Sequence, residues 1–270
     1  RGEVFVGDVA DPAVVANAIE GVGGVFHLAA VASVARANED WLGTHRINQS
    51  ATVAVLDAAR AAGRLPVVYA SSAAIYGDTG GAVAHEGLEP NPSTAYGADK
   101  FGSELHARVG SRIHGVPTLG LRFFNVYGPR QDPFSPYSGV ISIFARCLTE
   151  GAAIPLHGDG GQTRDFVHVA DVVAHLRAAM DRLMADPSVG GAALNVCTGR
   201  AVSIRQLALL LAGVHGVAPQ MVSRAARPGD IRDSRGSPER AIAMLGVRAG
   251  VLLEQGLATV TSKLPKPASR

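Results

Sequence analysis

Cysteine and long apolar runs are scarce in this 270-residue chain. Only Cys147 and Cys197 are present, far apart and without metal-ligand spacing. That excludes a disulfide framework and a zinc site, predicts no metal centre, and makes a reducing cytoplasm the expected compartment. Both read as small core residues. The longest apolar run, residues 207–214, falls far short of the ~20 residues that cross a bilayer, so no membrane span is expected. The formal net charge is only +2, with no block of like charges that would mark a nucleic-acid or membrane arm. Missing too is any Gly-x-Gly-x-x-Gly between a strand-like and a helix-like segment; Gly21-Val22-Gly23-Gly24 precedes a strand and reads as a helix stop. The first residue is Arg1, followed by no targeting peptide, so a preceding segment is expected.

What is present is 47% hydrophobic and 18% charged, with 32 Gly and 15 Pro. This composition fits one large or two small globular domains and excludes a disordered or collagen-like chain. Strand-length apolar runs (residues 4–6, 24–30, 66–70 and 118–124) alternate with helix-like stretches at 11–20, 48–62 and 94–114. Near-continuous apolar strands separated by helices predict a doubly wound α/β fold around a parallel sheet. Asp11-Pro12 supplies an N-cap and a Pro at the first helical position, while Gly63 and Gly115 sit just past helical stretches. Beyond Tyr127 the pattern loosens, with helices expected at 140–149, 171–184, 203–211 and 238–245. A second, smaller subdomain is expected there.

The strongest chemical signal is Tyr96-Gly97-Ala98-Asp99-Lys100 at the start of a helix, where residues four apart share a face. A phenol with pKa ~10 is a poor base near neutrality, and a fixed cation beside it lowers that value. Ser71-Ser72 directly follows an apolar strand, at the carboxyl end where doubly wound sheets bind ligands. A serine pair there also suits a plain turn. His27, on a strand, reads as a buried histidine bonded internally.

With this Ser, Tyr, Lys constellation the chain resembles the extended short-chain dehydrogenase/reductase family, the NAD-dependent epimerases and dehydratases of nucleotide sugars. The resemblance runs over essentially the whole chain. It implies an NAD(P)-binding Rossmann-like fold lacking its first βαβ unit, with residues 1–125 and 163–197 as the incomplete dinucleotide domain and 126–162 and 198–270 as the sugar-nucleotide subdomain. It assigns Ser72, Tyr96 and Lys100 to catalysis. NAD falls to Asp8, Val9, Leu28, Ala29, Ala30, Asn48, Ser71, Tyr96 and Lys100. Ser33, Ser72, Asn125, Arg164, Arg227, Asp230 and Ser234 fall to a UDP-sugar. Arg227 would fork onto the diphosphate and Asp230 accept from the ribose hydroxyls, roles suited to a guanidinium and a carboxylate. Asp8 suits a strand-to-helix turn equally well, and Arg164 or Arg227 alone reads as a surface arginine. A homodimer through the helices at 48–62 and 94–114 is implied, without nucleic-acid or membrane partners.

Two absences then acquire meaning. In this family a glycine-rich turn at the first strand binds the pyrophosphate, so about 30 residues or more would be missing, and this chain alone would hold no NAD and dissolve poorly. Ala73 and Ala74 carry no acid where dehydratases and decarboxylases of the family place Asp or Glu. The expectation is therefore a nucleotide-sugar 4-epimerase. A dehydratase or decarboxylase, and a silent remnant with only the sugar-nucleotide half-site, are the rival readings.

Overall fold

A computed structural model describes residues 3–132, 134–135, 139–226 and 231–261. The first half of the chain forms α1 (Pro12–Ala18), β1 (Val25–His27), α2 (Val34–Glu39), α3 (Trp41–His45), α4 (Ala51–Ala61), β2 (Val67–Ser72), α5 (Ala95–His114), β3 (Thr118–Phe123) and β4 (Asn125–Tyr127). Then come α6 (Val140–Glu150), β5 (Ile154–His157), β6 (Thr163–Arg164), β7 (Phe166–His168), α7 (Val169–Ala185) and β8 (Ala192–Val196). The last elements are β9 (Val202–Ser203), α8 (Ile204–His215), β10 (Met221–Arg224), α9 (Glu239–Leu245) and α10 (Leu253–Thr261).

The central sheet is parallel throughout, in the order β1-β2-β3-β8. Side chains alternate across it, as a strand's two-residue period requires. Val67 and Tyr69 of β2 join Val15, Val55, Leu56 and Ala107 of α1, α4 and α5 on one face. Val68 joins Leu119, Leu121 and Leu194 on the other, under Val172, Leu176 and Met180 of α7. Burial on both faces explains why these strands read as continuous apolar runs. A separate core forms where α6, α8 and α10 pack around β5 and Tyr127.

Local chemistry places the elements. Asp11 caps α1 by accepting from the Ala13 N–H, with Pro12 in the first turn. Thr94 caps α5 by accepting from the Gly97 N–H, and Gly115 ends that helix in the left-handed region at φ 69°. The expected helix at 48–62 is realised as α4, entered through a wide helical turn over Arg46–Ser50. Short helices α2 and α3 carry no detectable apolar period and were not legible. One strand expectation fails: residues 3–8 form no strand, and Val4 and Val6 are 84% and 96% exposed. These residues have no strand to pair with, and β1 is the end strand of the four-stranded sheet. Cys147 and Cys197 are free and buried.

Candidate active site

The carboxyl ends of β1, β2 and β3 open onto a cleft of about 590 Å³, within the size range of small-ligand sites. Its near side comprises Leu28 and Ala30 after β1, Ser71 to Ala74 after β2, and Phe123 to Val126 around the end of β3. Tyr96 and Lys100 of α5 complete that side.

Ser72 ends β2 and caps the 3₁₀ turn Ala73–Tyr76, its Oγ accepting from the Ala74 N–H at 3.1 Å. Gly97 is what lets α5 come so close to this turn. A Cβ at that position would stand 2.7 Å from the Ala74 carbonyl oxygen, well inside van der Waals contact. The approach brings Tyr96 and Ser72 together on this side of the cleft. Lys100, one turn on, is 4% exposed, donates to the Ala70 carbonyl at 2.9 Å and lies 5.8 Å from the Tyr96 ring centre. Burial draws its pKa down to about 8, opposed by the charge of Asp99.

The expected effect of Lys100 on the phenol is not realised in this geometry. Tyr96 lies above the ordinary tyrosine value because burial disfavours the phenolate, and the opposing contribution comes from the Ser72 hydrogen bond. The ammonium is hydrogen-bonded to the Ala70 carbonyl.

Asn125, Arg164 and Ser234 also border the cleft. One Arg164 nitrogen donates to the Thr163 and Ile231 carbonyls at 2.7 and 2.8 Å, tying segment 231–235 to β6. Five of the sequence-derived residues lie elsewhere. Asn48, 1% exposed, donates to and accepts from the Val31 backbone, so its amide is spent holding the loop after β1. Ser33 caps α2 through the Arg36 N–H. Asp8 accepts from Ala10 and pairs with Arg46 at 2.7 Å, which holds its carboxyl below the usual range. Val9 packs beside Val15 and Ile19, and Ala29 is exposed outside the cleft. Arg227 and Asp230 fall outside the described residues. His27 is buried and bonded to Thr52 Oγ1 at 3.0 Å, with burial lowering its pKa to about 4.

Beneath the cleft lies a polar network that the sequence reading missed. Arg122 forks onto Glu104 at 2.9 and 2.7 Å, and Glu104 also accepts from the Ser71 hydroxyl. A third Arg122 N–H reaches the Tyr76 hydroxyl at 2.7 Å, which donates to Asn195 Oδ1 at 2.7 Å. The signal was an arginine inside an apolar strand, which has to find a buried counter-charge. On the opposite wall, beyond Arg164 and Ser234, sequence reading missed Thr79, Gln131, Val173, Asp233 and Arg235, which line the cleft. Asp165 braces that wall by accepting from Thr198, Gly199 and Gly236.

A family model described as the NAD dependent epimerase/dehydratase family matches residues 2–197. The UDP-glucose 4-epimerase of Mycolicibacterium smegmatis is 36% identical over 236 residues, covering 87% of this chain and 73% of that protein. The chain spans 45% to 61% of the length of five other curated relatives. Among solved structures, Thermotoga maritima UDP-glucose 4-epimerase with UDP-glucose aligns at TM-score 0.87 and 31% identity, covering 95% of this chain and 82% of that one. A UDP-N-acetylglucosamine 4-epimerase from Methanobrevibacter ruminantium M1, in complex with UDP-N-acetylmuramic acid, aligns at 0.88 and 27%, covering 95% and 80%. A nucleotide-sugar decarboxylase and a 4,6-dehydratase also match.

Proposed function

The chain belongs to the NAD dependent epimerase/dehydratase family, and on that premise we propose that it is a nucleotide-sugar 4-epimerase acting on UDP-glucose and UDP-galactose or their N-acetylated pair. The observation that carries this reading is the grouping of Ser72, Tyr96 and Lys100 in one cleft whose turn after β2 holds Ala73 and Ala74 where elimination would need an acid. Asp233 is the single carboxylate among the described lining residues, and it accepts from the Thr163 hydroxyl.

Half of the cofactor site has a matching donor set. A protonated Lys100 carries three N–H donors and spends one on Ala70, leaving donors for ribose hydroxyls beside Leu28, Ala30 and Ser71. The diphosphate half has no counterpart among the described residues: the α1 N-terminus is already occupied by the Asp11 carboxylate, and Asp8 is paired with Arg46. NAD, when bound, supplies hydride acceptance and return at C4. The chain's own groups handle the proton and the orientation. Tyr96 acts as the phenolate, the form that burial disfavours in the free protein, taking the proton from O4 and giving it back, while Ser72 shares the hydrogen bond to that oxygen. Asn125, Arg164 and Ser234, with Arg227 and Asp230, are assigned to the nucleotide and sugar. Inversion requires the 4-keto sugar to present its other face.

The test is conversion of UDP-galactose to UDP-glucose by the protein with added NAD, followed by anion-exchange chromatography. Tyr96→Phe should lose about 10²- to 10⁴-fold in turnover while UDP binding by calorimetry persists. No conversion by protein shown to carry bound NAD, or near-normal turnover by the variant, overturns the reading. A 4-keto-6-deoxy product would establish the dehydratase instead.

The same reading includes a homodimer, because Val53 of α4 and Leu105, Val109 and Ile113 of α5 leave apolar surface exposed. It includes a cytoplasmic location, in keeping with two free, buried thiols. Residues 126–162 and 198–270 would form the sugar-nucleotide part.

A further inference from the structure

Tyr76 ends the short turn after β2, lines the cleft and is buried, yet it has no part in the reaction above. Its hydroxyl joins two strands: it accepts from Arg122 Nη1 of β3 at 2.7 Å and donates to Asn195 Oδ1 of β8 at 2.7 Å. The cation fixes that direction. A guanidinium can only donate, so the phenol accepts there and its own proton goes to Asn195. The Asn195 amide is thereby turned with its oxygen to Tyr76 and its nitrogen to main chain, donating to the Ala84 carbonyl at 2.9 Å and the Ser237 carbonyl at 3.3 Å. Those two stretches are also paired with each other. The Ala84 N–H donates to the Arg235 carbonyl and the Ser237 N–H to the Ala84 carbonyl, each at 2.9 Å.

We propose that Tyr76 is a positioning residue: by locking the Asn195 amide it sets the main chain of residues 84 and 235–237, and with it the place of Ser234 and Arg235 on the wall opposite Tyr96. The chain of bonds begins on the proton-handling side. Glu104, one turn beyond Lys100 on α5, grips Arg122 and accepts from Ser71, the neighbour of Ser72. The Tyr76 ring is held from two directions, with the Arg122 guanidinium 5.1 Å from its centre and the Phe124 ring at 6.4 Å. Burial pushes its hydroxyl up to about 12, so the proton that orients Asn195 stays in place at working pH. Asp165 holds the same wall by a different route. It ties Gly236 to Thr198 and Gly199 after β8, whereas Tyr76 ties the wall to the turn that Ser72 caps. At the far end the Asn195 amide grips only carbonyls, so the side chains of that wall stay outside the network.

Tyr76→Phe keeps the ring and removes the hydroxyl, which strands Asn195 Oδ1 and one Arg122 N–H and frees the amide to turn. Hydrogen exchange read residue by residue by NMR is the test. The Ala84 and Ser237 N–H groups should lose about tenfold more protection than those of Tyr69 and Leu121 in the central sheet, because only the former depend on the Asn195 grip. Asn195→Leu leaves the Tyr76–Arg122 bond and removes the amide; it should loosen the same N–H groups and serves where the Phe variant does not fold. With NAD-loaded protein, Tyr76→Phe should raise KM for UDP-glucose by about fivefold or more and keep kcat within about twofold, since recognition moves and proton handling does not. A loss of protection that is uniform across the sheet, none at Ala84 and Ser237, or a fall in kcat at unchanged KM overturns the proposal. The kinetic arm rests on the epimerase reading, whereas exchange is read without cofactor or substrate. Absence of turnover by the NAD-loaded unaltered protein would therefore refute that reading and leave the exchange result to decide this one.

Discussion

Glu104→Gln removes one charge from the network under the cleft and changes almost nothing else in shape. In the unaltered chain the Arg122 and Glu104 side chains are 5% and 2% exposed and meet through two charge-assisted hydrogen bonds. An amide at 104 can still accept one of those bonds, and Tyr76 still accepts another, but the guanidinium keeps its full charge with no counter-charge. Burying an uncompensated ion of this kind costs roughly 3–5 kcal/mol, a large fraction of the roughly 5–15 kcal/mol that holds a domain folded. At about 2–4 °C per kcal/mol for a chain of this size, the midpoint of thermal unfolding should fall by on the order of 10 °C. Urea unfolding followed by circular dichroism is the suitable assay, because the single tryptophan, Trp41, is 70% exposed and a weak reporter of the core. The denaturant dependence should keep its slope while the midpoint moves. The double replacement Glu104→Met with Arg122→Met removes both charges together and should recover much of the loss. A single-variant cost below about 1 kcal/mol, or a double variant no better than the single one, would refute the reasoning.

Three other outcomes are expected. Because burial lowers Lys100 to about 8, the unfolded chain binds a proton there that the folded chain has released, so stability should rise between pH 8 and 9.5 by about 1–2 kcal/mol. Lys100→Met should flatten that rise in urea titrations at the two pH values, and an equal rise in both proteins would contradict the assignment. Gly97→Ala should cost about 1–3 kcal/mol and most of the turnover, since its methyl must push α5 away from the Ala74 carbonyl and part Tyr96 from Ser72. Retained activity in that variant would mean the close approach is dispensable. Ser234→Tyr should depress turnover of UDP-N-acetylglucosamine far more than that of UDP-glucose, because Ser234 borders the cleft with a small side chain; equal losses would remove it as a volume gate.

The side of the cleft that holds Ser72, Tyr96 and Lys100 was legible because its parts are local. Ser72 ends a continuous apolar strand, and Tyr96 and Lys100 are one turn apart on a capped helix, so short-range patterns suffice to bring them to one end of a parallel sheet. Asn48 and Ser33 lie outside the cleft lining, their side chains engaged with backbone. Asn48 bonds the Val31 backbone, seventeen residues away, a partner no spacing announces, whereas Ser33 caps α2 through the Arg36 N–H three residues on. The Val4 to Val6 run has strand composition, but composition does not supply a partner strand, and the segment is exposed. The far wall was illegible because Thr79, Gln131 and Arg235 come from loops that meet only in three dimensions.

That far wall has a consequence of its own. The proton-handling side of the cleft is set by residues 28–126, while segment 231–235 opposite is pinned by Arg164 reaching the Ile231 carbonyl and by Asp165 gripping Gly236. The pins hold main chain and leave side chains such as Ser234 at liberty to change. On the epimerase reading, reaction and recognition are thereby written on separately editable stretches, so that a lineage would trade one sugar for another by drift along a few loop positions without disturbing the machinery that moves the proton.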